Sequence, residues 1–427
     1  MQASVAQPLP PFALSGPKPT DRTIGKLTGS GVVLLLSGLA VVGSGIAQLR
    51  PSILGLHLHP YLLPVGIAFP FLLASRLQRF PPKLLFGLGV FAATYVFSTL
   101  SSNIASAETP KILTAIIVIV SSALLVLSRA DFVAGVTGLS LAIGTLAVRG
   151  LSAEGDAAAG ALDLANKNSY SLFALPSILL SFYVVLNFSA KKWVKAVLLL
   201  TSLASIITIF SSGNRSGYVG VLLVLLMLMI GRKFFGVVLA FSIAIVVFAA
   251  LSFTQSDHIA QERIERTFDE KMTTDVKRID LLLYSIQIGL ENPIIGVSPV
   301  GLRYELALRL GAHRAIADPH NVFASVIGGS GLICFSALVY IGWALCTPRK
   351  AKNVPDDEVP NFYLARRLSR MLVVLWVVRG MFTREILYNP SFCLAIGMCI
   401  GLCLESGGYL RKAKTLARQL AYPPLAA

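Results

Sequence analysis

Residues 254–321 read TQSDHIAQERIERTFDEKMTTDVKRIDLLLYSIQIGLENPIIGVSPVGLRYELALRLGAHRAIADPHN. This is the one long hydrophilic stretch in a chain that otherwise alternates apolar runs with short charged loops. It carries eight basic and ten acidic residues and ends in Asp318-Pro319-His320-Asn321, where another apolar run begins. If the apolar runs cross a membrane, this stretch is a large extramembrane loop, so its side of the membrane decides where polar chemistry takes place.

The composition says that they do. Of 427 residues, 55% are hydrophobic and only 14% charged, with mean hydropathy +0.73. A soluble domain carries about 25% charged residues. The sequence therefore predicts an all-α integral membrane protein. Its net charge of +16 reads as topological charge beside apolar helices rather than as a nucleic-acid surface. The five cysteines (Cys334, Cys346, Cys393, Cys399, Cys403) fall in or at the ends of apolar segments and read as packing residues. His57 and His59 lack a carboxylate or cysteine at ligand spacing, so no metal and no other cofactor is expected.

Runs of about 17–25 apolar residues suffice to cross the hydrocarbon. They occur at Gly31–Leu49, Pro60–Ser75, Leu84–Leu100, Ile112–Ser128, Phe132–Val148, Ser171–Phe188, Val194–Phe210, Gly217–Ile230, Phe234–Phe253, Pro319–Leu345, Leu368–Leu387 and Ser391–Leu410. The expectation is about twelve transmembrane helices: nine in 31–253, a large helical loop at 254–318, and three more in 319–410. A disordered tail (1–30) precedes them and a second tail (411–427) follows. The first run is too long for a signal-peptide core of about 7–15 residues and reads as a retained span.

Lysine and arginine in the short loops set the orientation. With the N-terminus inside, 22 fall on the inner side against 7 outside, leaving out the long loop. Both tails are then cytoplasmic and residues 254–318 lie outside. All five histidines fall on that outer side too, as do two other polar segments, Arg149–Tyr170 and Ser211–Ser216.

Within the loop, 259–272 mixes charges at helical spacing and 280–290 reads as an apolar surface helix broken by Asn292-Pro293. Ser298-Pro299 is expected to cap and open a helix with Leu302, Leu306 and Leu310 on one face, a Glu305–Arg309 pair on another, and Gly311 at its end. Asp318 is expected to cap the next helix and Pro319 to open it, placing His320 in the first turn. There the helix dipole disfavours imidazolium, so His320 reads as a neutral proton acceptor, while Asp318 works against that shift. Arg215, in Ser211-Ser212-Gly213-Asn214-Arg215-Ser216-Gly217, stands at the outer mouth of a span, where its fork suits phosphate oxygens; the bland alternative is snorkelling to headgroups. Arg278 is a further cation with Asp275 and Asp280 as salt-bridge alternatives, and Arg303, Arg309, Arg314 and Arg384 complete the basic candidates. Gly328-Gly329-Ser330-Gly331 allows a close neighbour.

In this order the residues resemble the O-antigen ligase and polymerase superfamily of bacterial envelope glycosyltransferases. The resemblance rests on Arg215 after a span, on Arg278 followed by Asn292-Pro293-Ile294-Ile295-Gly296-Val297, and on His320-Asn321 with nine residues before Gly331. Asn168 is similar to an outer-loop asparagine common in the family. Two positions depart from its pattern: Ser298 stands where a second glycine is usual, and Cys334 where glycine, threonine or tyrosine is.

The resemblance implies a bacterial inner-membrane protein with a periplasmic active site and lipid partners. It implies transfer of a glycan from undecaprenyl diphosphate to a sugar hydroxyl of lipid A-core, with His320 as general base and Arg215 and Arg278 on the diphosphate. Asn321, Asn168 and Arg314 would support them, and the displacement is expected to need no metal and to invert the anomeric carbon. The alternatives are a polymerase using a lipid-linked glycan acceptor and, from a different class, a lipid or glycan transporter.

Overall fold

A computed structural model describes residues 27–44, 52–53, 56–57, 60, 62–101, 108–151, 167–211, 215–230, 278–310, 318–348 and 359–407. The described chain is helical throughout, apart from a two-residue antiparallel pairing of Ser52–Ile53 with Leu56–His57. The helices are α1 (Gly29–Leu39, extended by a 3-10 segment Ala40–Ser44), α2 (Leu62–Arg76), α3 (Pro82–Ser101), α4 (Glu108–Leu125), α5 (Arg129–Leu151), α6 (Lys167–Asn187), α7 (Lys192–Ser211) and α8 (Arg215–Met229). After them come α9 (278–291), α10 (Pro299–Arg309), α11 (Val322–Cys346), α12 (Val359–Gly380) and α13 (Pro390–Glu405), with a 3-10 turn Glu385–Tyr388 between the last two.

Six of these helices are long and apolar enough to cross a membrane: α3, α4, most of α5 and α6, α7 and α11. Parts of α1, α8 and α13 are shorter but as apolar. The chain is therefore an all-α, multi-pass membrane protein. The expected span 234–253, the loop helix 259–272, Gly311 and both tails lie outside the described residues.

The bundle is built around α4, α5, α6 and α13. Helix α13 is buried along nearly its whole length between α4, α6 and α12, while α5 packs against α1, α6 and α7. The outer helices turn large apolar side chains outward, among them Phe71, Phe86 and Leu200. An apolar exterior of this kind is solvated by lipid rather than water. Without a hydrophobic force between helices in lipid, close backbone approach has to supply the contact. At Gly138 of α5 an added Cβ would fall 2.2 Å from the Leu35 carbonyl oxygen of α1. Buried Asp131 ties the same two helices, accepting from the Thr28 amide at 3.2 Å and hydroxyl at 2.8 Å.

One interlock positions the site. Helix α11 is broken at Gly331, whose φ of 79° is left-handed, and the Asn292–Val297 loop docks into the break. The Leu332 amide donates to the Pro293 carbonyl at 2.8 Å, and the Val297 amide donates to the Gly328 carbonyl at 3.1 Å. Ser98 of α3 donates to the Gly329 carbonyl at 2.7 Å. The small-residue run thus receives a loop as well as a neighbouring helix. Helices α9 and α10, on either side of the loop, share a small core of Leu281, Ile288, Leu302 and Leu306.

Candidate functional site

Four elements far apart in sequence meet at one end of the bundle. Glu108 opens α4, Arg303 sits on α10, Asp318 precedes α11, and Arg384 precedes the 3-10 turn after α12. Buried Glu108 receives both guanidinium groups on one oxygen, Oε1: one from Arg303, and the other from Arg384 Nη2 at 2.8 Å. Its other oxygen accepts from the Tyr95 hydroxyl at 3.3 Å. Arg384 Nε reaches Asp318 Oδ2 at 2.7 Å. Glu108, Arg303, Arg384 and Tyr95, together with Pro299, Ser325 and Tyr388, line a pocket of about 360 Å³. Lys111, one turn into α4, stands over the Tyr388 ring at 5.2 Å. Tyr388 is held neutral: burial raises its pKa, and the negative charges of Glu108, Glu385 and Asp318 raise it further.

His320 is beside this cluster, though not in the position expected of it. Asn321, not Asp318, caps α11, its side-chain oxygen accepting from the Phe323 and Ala324 amides at 2.9 and 3.0 Å. The helix starts at Val322, so His320 lies before the cap, with a left-handed φ of 50°. Asp318 instead accepts the His320 amide at 3.0 Å while binding Arg384. An asparagine outcompetes the earlier aspartate here because Arg384 has claimed the Asp318 carboxylate. The His320 ring is exposed and its backbone is tied to the charged cluster through Asp318. Asn321 spans to the end of α12, its Nδ2 donating to the Met381 carbonyl at 3.4 Å.

The remaining expected residues divide. Arg278 is exposed at the start of α9. Arg215 opens α8 and Asn168 lies in the first turn of α6; these helices pack together, so the two residues share one end of the bundle, but their side chains are not described. Arg314 lies outside the described residues. Arg309 pairs with Glu291 of α9 rather than with Glu305, and this contact lowers the pKa of the exposed Glu291 carboxyl. The expected span Leu368–Leu387 is cut short: α12 ends at Gly380, and the chain turns so that Arg384 faces Glu108. Arg379, in the last turn of α12, is buried and donates to Ser171 of α6 at 2.9 Å.

Glu108 and Tyr388 were not legible as site residues. The signal was faint: Glu108 is a lone acid opening an apolar run, which reads as a helix start, and its arginine on α10 lies 195 residues away. Among the described residues no three His, Cys, Asp or Glu side chains converge as a metal site would need.

A second cavity, of about 800 Å³ and almost wholly apolar, lies directly beneath the charged pocket. Its walls include Leu84, Leu88 and Phe91 of α3, Ile112 and Ile119 of α4, and Trp376 of α12. Leu387 lines both spaces. From Glu108 to Ile119 is eleven helical residues, so the apolar cleft runs about 16 Å down from the charged groups.

Fold and site together define a multi-pass membrane protein with a charged pocket at one end of its bundle and an apolar cleft below it. Residues 200–339 match the family model described as O-antigen ligase. None of the curated proteins matches the chain. The matched stretch takes in Arg215, Arg278, Arg303 and His320; Glu108 and Arg384 lie outside it.

Proposed function

We propose that this protein transfers a glycan from undecaprenyl diphosphate to a sugar hydroxyl of lipid A-core at the non-cytoplasmic face of the bacterial inner membrane. The match of residues 200–339 to the O-antigen ligase family model supports a ligase-type transfer in general. The observation that carries the finer reading is the stacking of the two cavities. A cationic pair sits at the mouth of an apolar cleft, an arrangement matched by a lipid whose diphosphate rests at the interface and whose tail descends between helices.

In this reading Arg303 and Arg384 receive the diphosphate, with Arg215 and Arg278 as further ligands. The acceptor hydroxyl oxygen attacks the anomeric carbon, and the bond from that carbon to the diphosphate oxygen breaks. The electron pair leaves on the diphosphate, where guanidinium groups stabilise it. The hydroxyl proton passes to His320, the general base. The anomeric configuration inverts, and the membrane surface supplies proximity between two lipid-borne substrates. The positive-inside rule supports the assigned side: Arg76, Arg79, Lys83, Lys191, Lys192 and Lys195 gather at the helix ends opposite the pocket.

The test supplies purified protein with lipid-linked glycan, with and without lipid A-core. Glycan joined to lipid A-core with inverted configuration is expected. Chain growth without lipid A-core would establish a polymerase instead, and movement of intact donor between leaflets without transfer would establish a transporter.

A further inference from the structure

In the charged pocket the charges balance. Arg303 and Arg384 meet Glu108 and Asp318, two positive groups against two negative. A pocket with no net charge has little attraction for a diphosphate, yet its two guanidinium groups are posed as anion ligands. They converge on a single carboxylate oxygen from two segments, α10 and the turn after α12. A phosphate oxygen accepts the same pair of donors in the same geometry. Arg303 adds a third feature: its Nε–H is buried and has no hydrogen-bond partner. A buried donor left open costs about 1–3 kcal/mol, and Glu108 cannot fill it while Oε1 serves both arginines.

We propose that the Glu108 carboxylate occupies the phosphate subsite of the Arg303–Arg384 pair, so that an incoming phosphate binds by taking its place. Glu108 is then a positioning residue. It holds the two arginines together while the site is empty and competes with the donor for them. A phosphate group brings more acceptor oxygens than Oε1 provides, enough to satisfy Arg303 Nε as well as the two terminal groups. Displaced Glu108 keeps the Tyr95 hydroxyl as a donor. Because Arg384 also holds Asp318, whose other oxygen accepts the His320 amide, the exchange is felt one step away at His320. This proposal rests on the diphosphate reading of the pocket and adds what the pocket does before substrate arrives.

The experiment measures binding of inorganic pyrophosphate to the full-length protein in detergent, by calorimetry or by protection against thermal unfolding. Glu108→Gln removes the competing charge while keeping the shape of the side chain. It is expected to tighten pyrophosphate about tenfold, within the usual range of couplings between two ligands. Adding Arg384→Ala is expected to abolish the gain. Damage to the fold weakens ligand binding, so a gain separates competition from a merely structural role. Unchanged or weaker pyrophosphate binding in Glu108→Gln overturns the proposal. If that variant does not fold, Glu108→Asp decides: a shorter arm with the same charge is expected to tighten binding about fivefold, and no change overturns the proposal. Since binding is read without turnover, a protein that shows the gain yet transfers no glycan keeps the exchange and loses the transferase reading.

Discussion

His320 occupies a left-handed backbone position before a cap that Asn321 supplies, with an exposed ring and an amide fixed by Asp318. Backbone strain at a non-glycine residue persists only where the surroundings enforce it. Here the tie to Asp318 and the Asn321 cap hold the residue from both sides and leave it exposed beside the charged cluster. His320→Ala is expected to lower glycan transfer by about a hundredfold or more, the usual scale for losing a general base. Protein level and pyrophosphate binding should stay near wild type. Transfer at the normal rate in that variant would remove His320 from the chemistry. Asn321→Ala acts differently: two amides lose their acceptor, and melting should show a loss of about 1 kcal/mol, largely restored by Asn321→Asp. Tyr388 has its own pH signature. Its pKa in the folded protein lies above the ordinary value of 10.0, so its contribution to stability is complete below about pH 10 and is lost as the pH rises further. Between pH 9 and 11 the wild type should therefore lose more thermal stability than Tyr388→Phe; parallel curves would show that Tyr388 does not carry this dependence.

The kinked helix α11 holds the site together at the level of elements, and its kink was only half legible. Four small residues at 328–331 announce a close neighbour, but their composition alone does not distinguish a helix packed alongside from a loop plugged into the helix. Gly331 decides it: φ is 79°, and an added Cβ would lie 2.5 Å from the Ile294 carbonyl oxygen. Gly331→Ala therefore faces both left-handed strain and a backbone clash. It is expected to destabilise the protein by about 2 kcal/mol or more and to expose the 292–310 segment to protease, because Arg303 hangs on that docked loop. Gly66 of α2 is the control, since an added Cβ there meets nothing within 4 Å. Gly66→Ala should be neutral or stabilising by about 0.5–1 kcal/mol. If both alanines melt alike, the plug is not what holds α9 and α10 in place. Among the described residues the six long apolar helices were legible because apolar run length reports span length. The ends were not: the starts of α4 and α11 and the end of α12 all moved by several residues. Those ends carry Glu108, Asp318 and Arg384, whose mutual pairing is a tertiary fact with no local trace.

For the whole molecule the count of lysines and arginines bears on sidedness. The ion-paired end and the lysine-rich end lie at opposite ends of the same long helices: Glu108 opens α4 and Arg76 closes α2 where the Leu124 carbonyl receives it at 3.3 Å, at the far end of α4. Placing Arg76 in the cytoplasm therefore places the Glu108 pocket outside, and neither end can be moved alone. The thiols allow a direct check. Four of the five cysteines are buried and Cys346 is partly so, and a version with all five replaced provides the background. Tyr304 of α10 and Trp193 at the start of α7 are both well exposed, near opposite ends of the bundle. In intact cells with a permeabilised outer membrane, a membrane-impermeant maleimide should label Tyr304→Cys at once. It should label Trp193→Cys only after the inner membrane is opened. The reverse pattern would put the pocket in the cytoplasm, where a periplasmic acceptor could not reach it, and the proposed ligase reaction would fall with it. Labelling of both in intact cells would mean that the two ends are not separated by a bilayer, which would contradict the membrane-spanning assignment of α4 and α7.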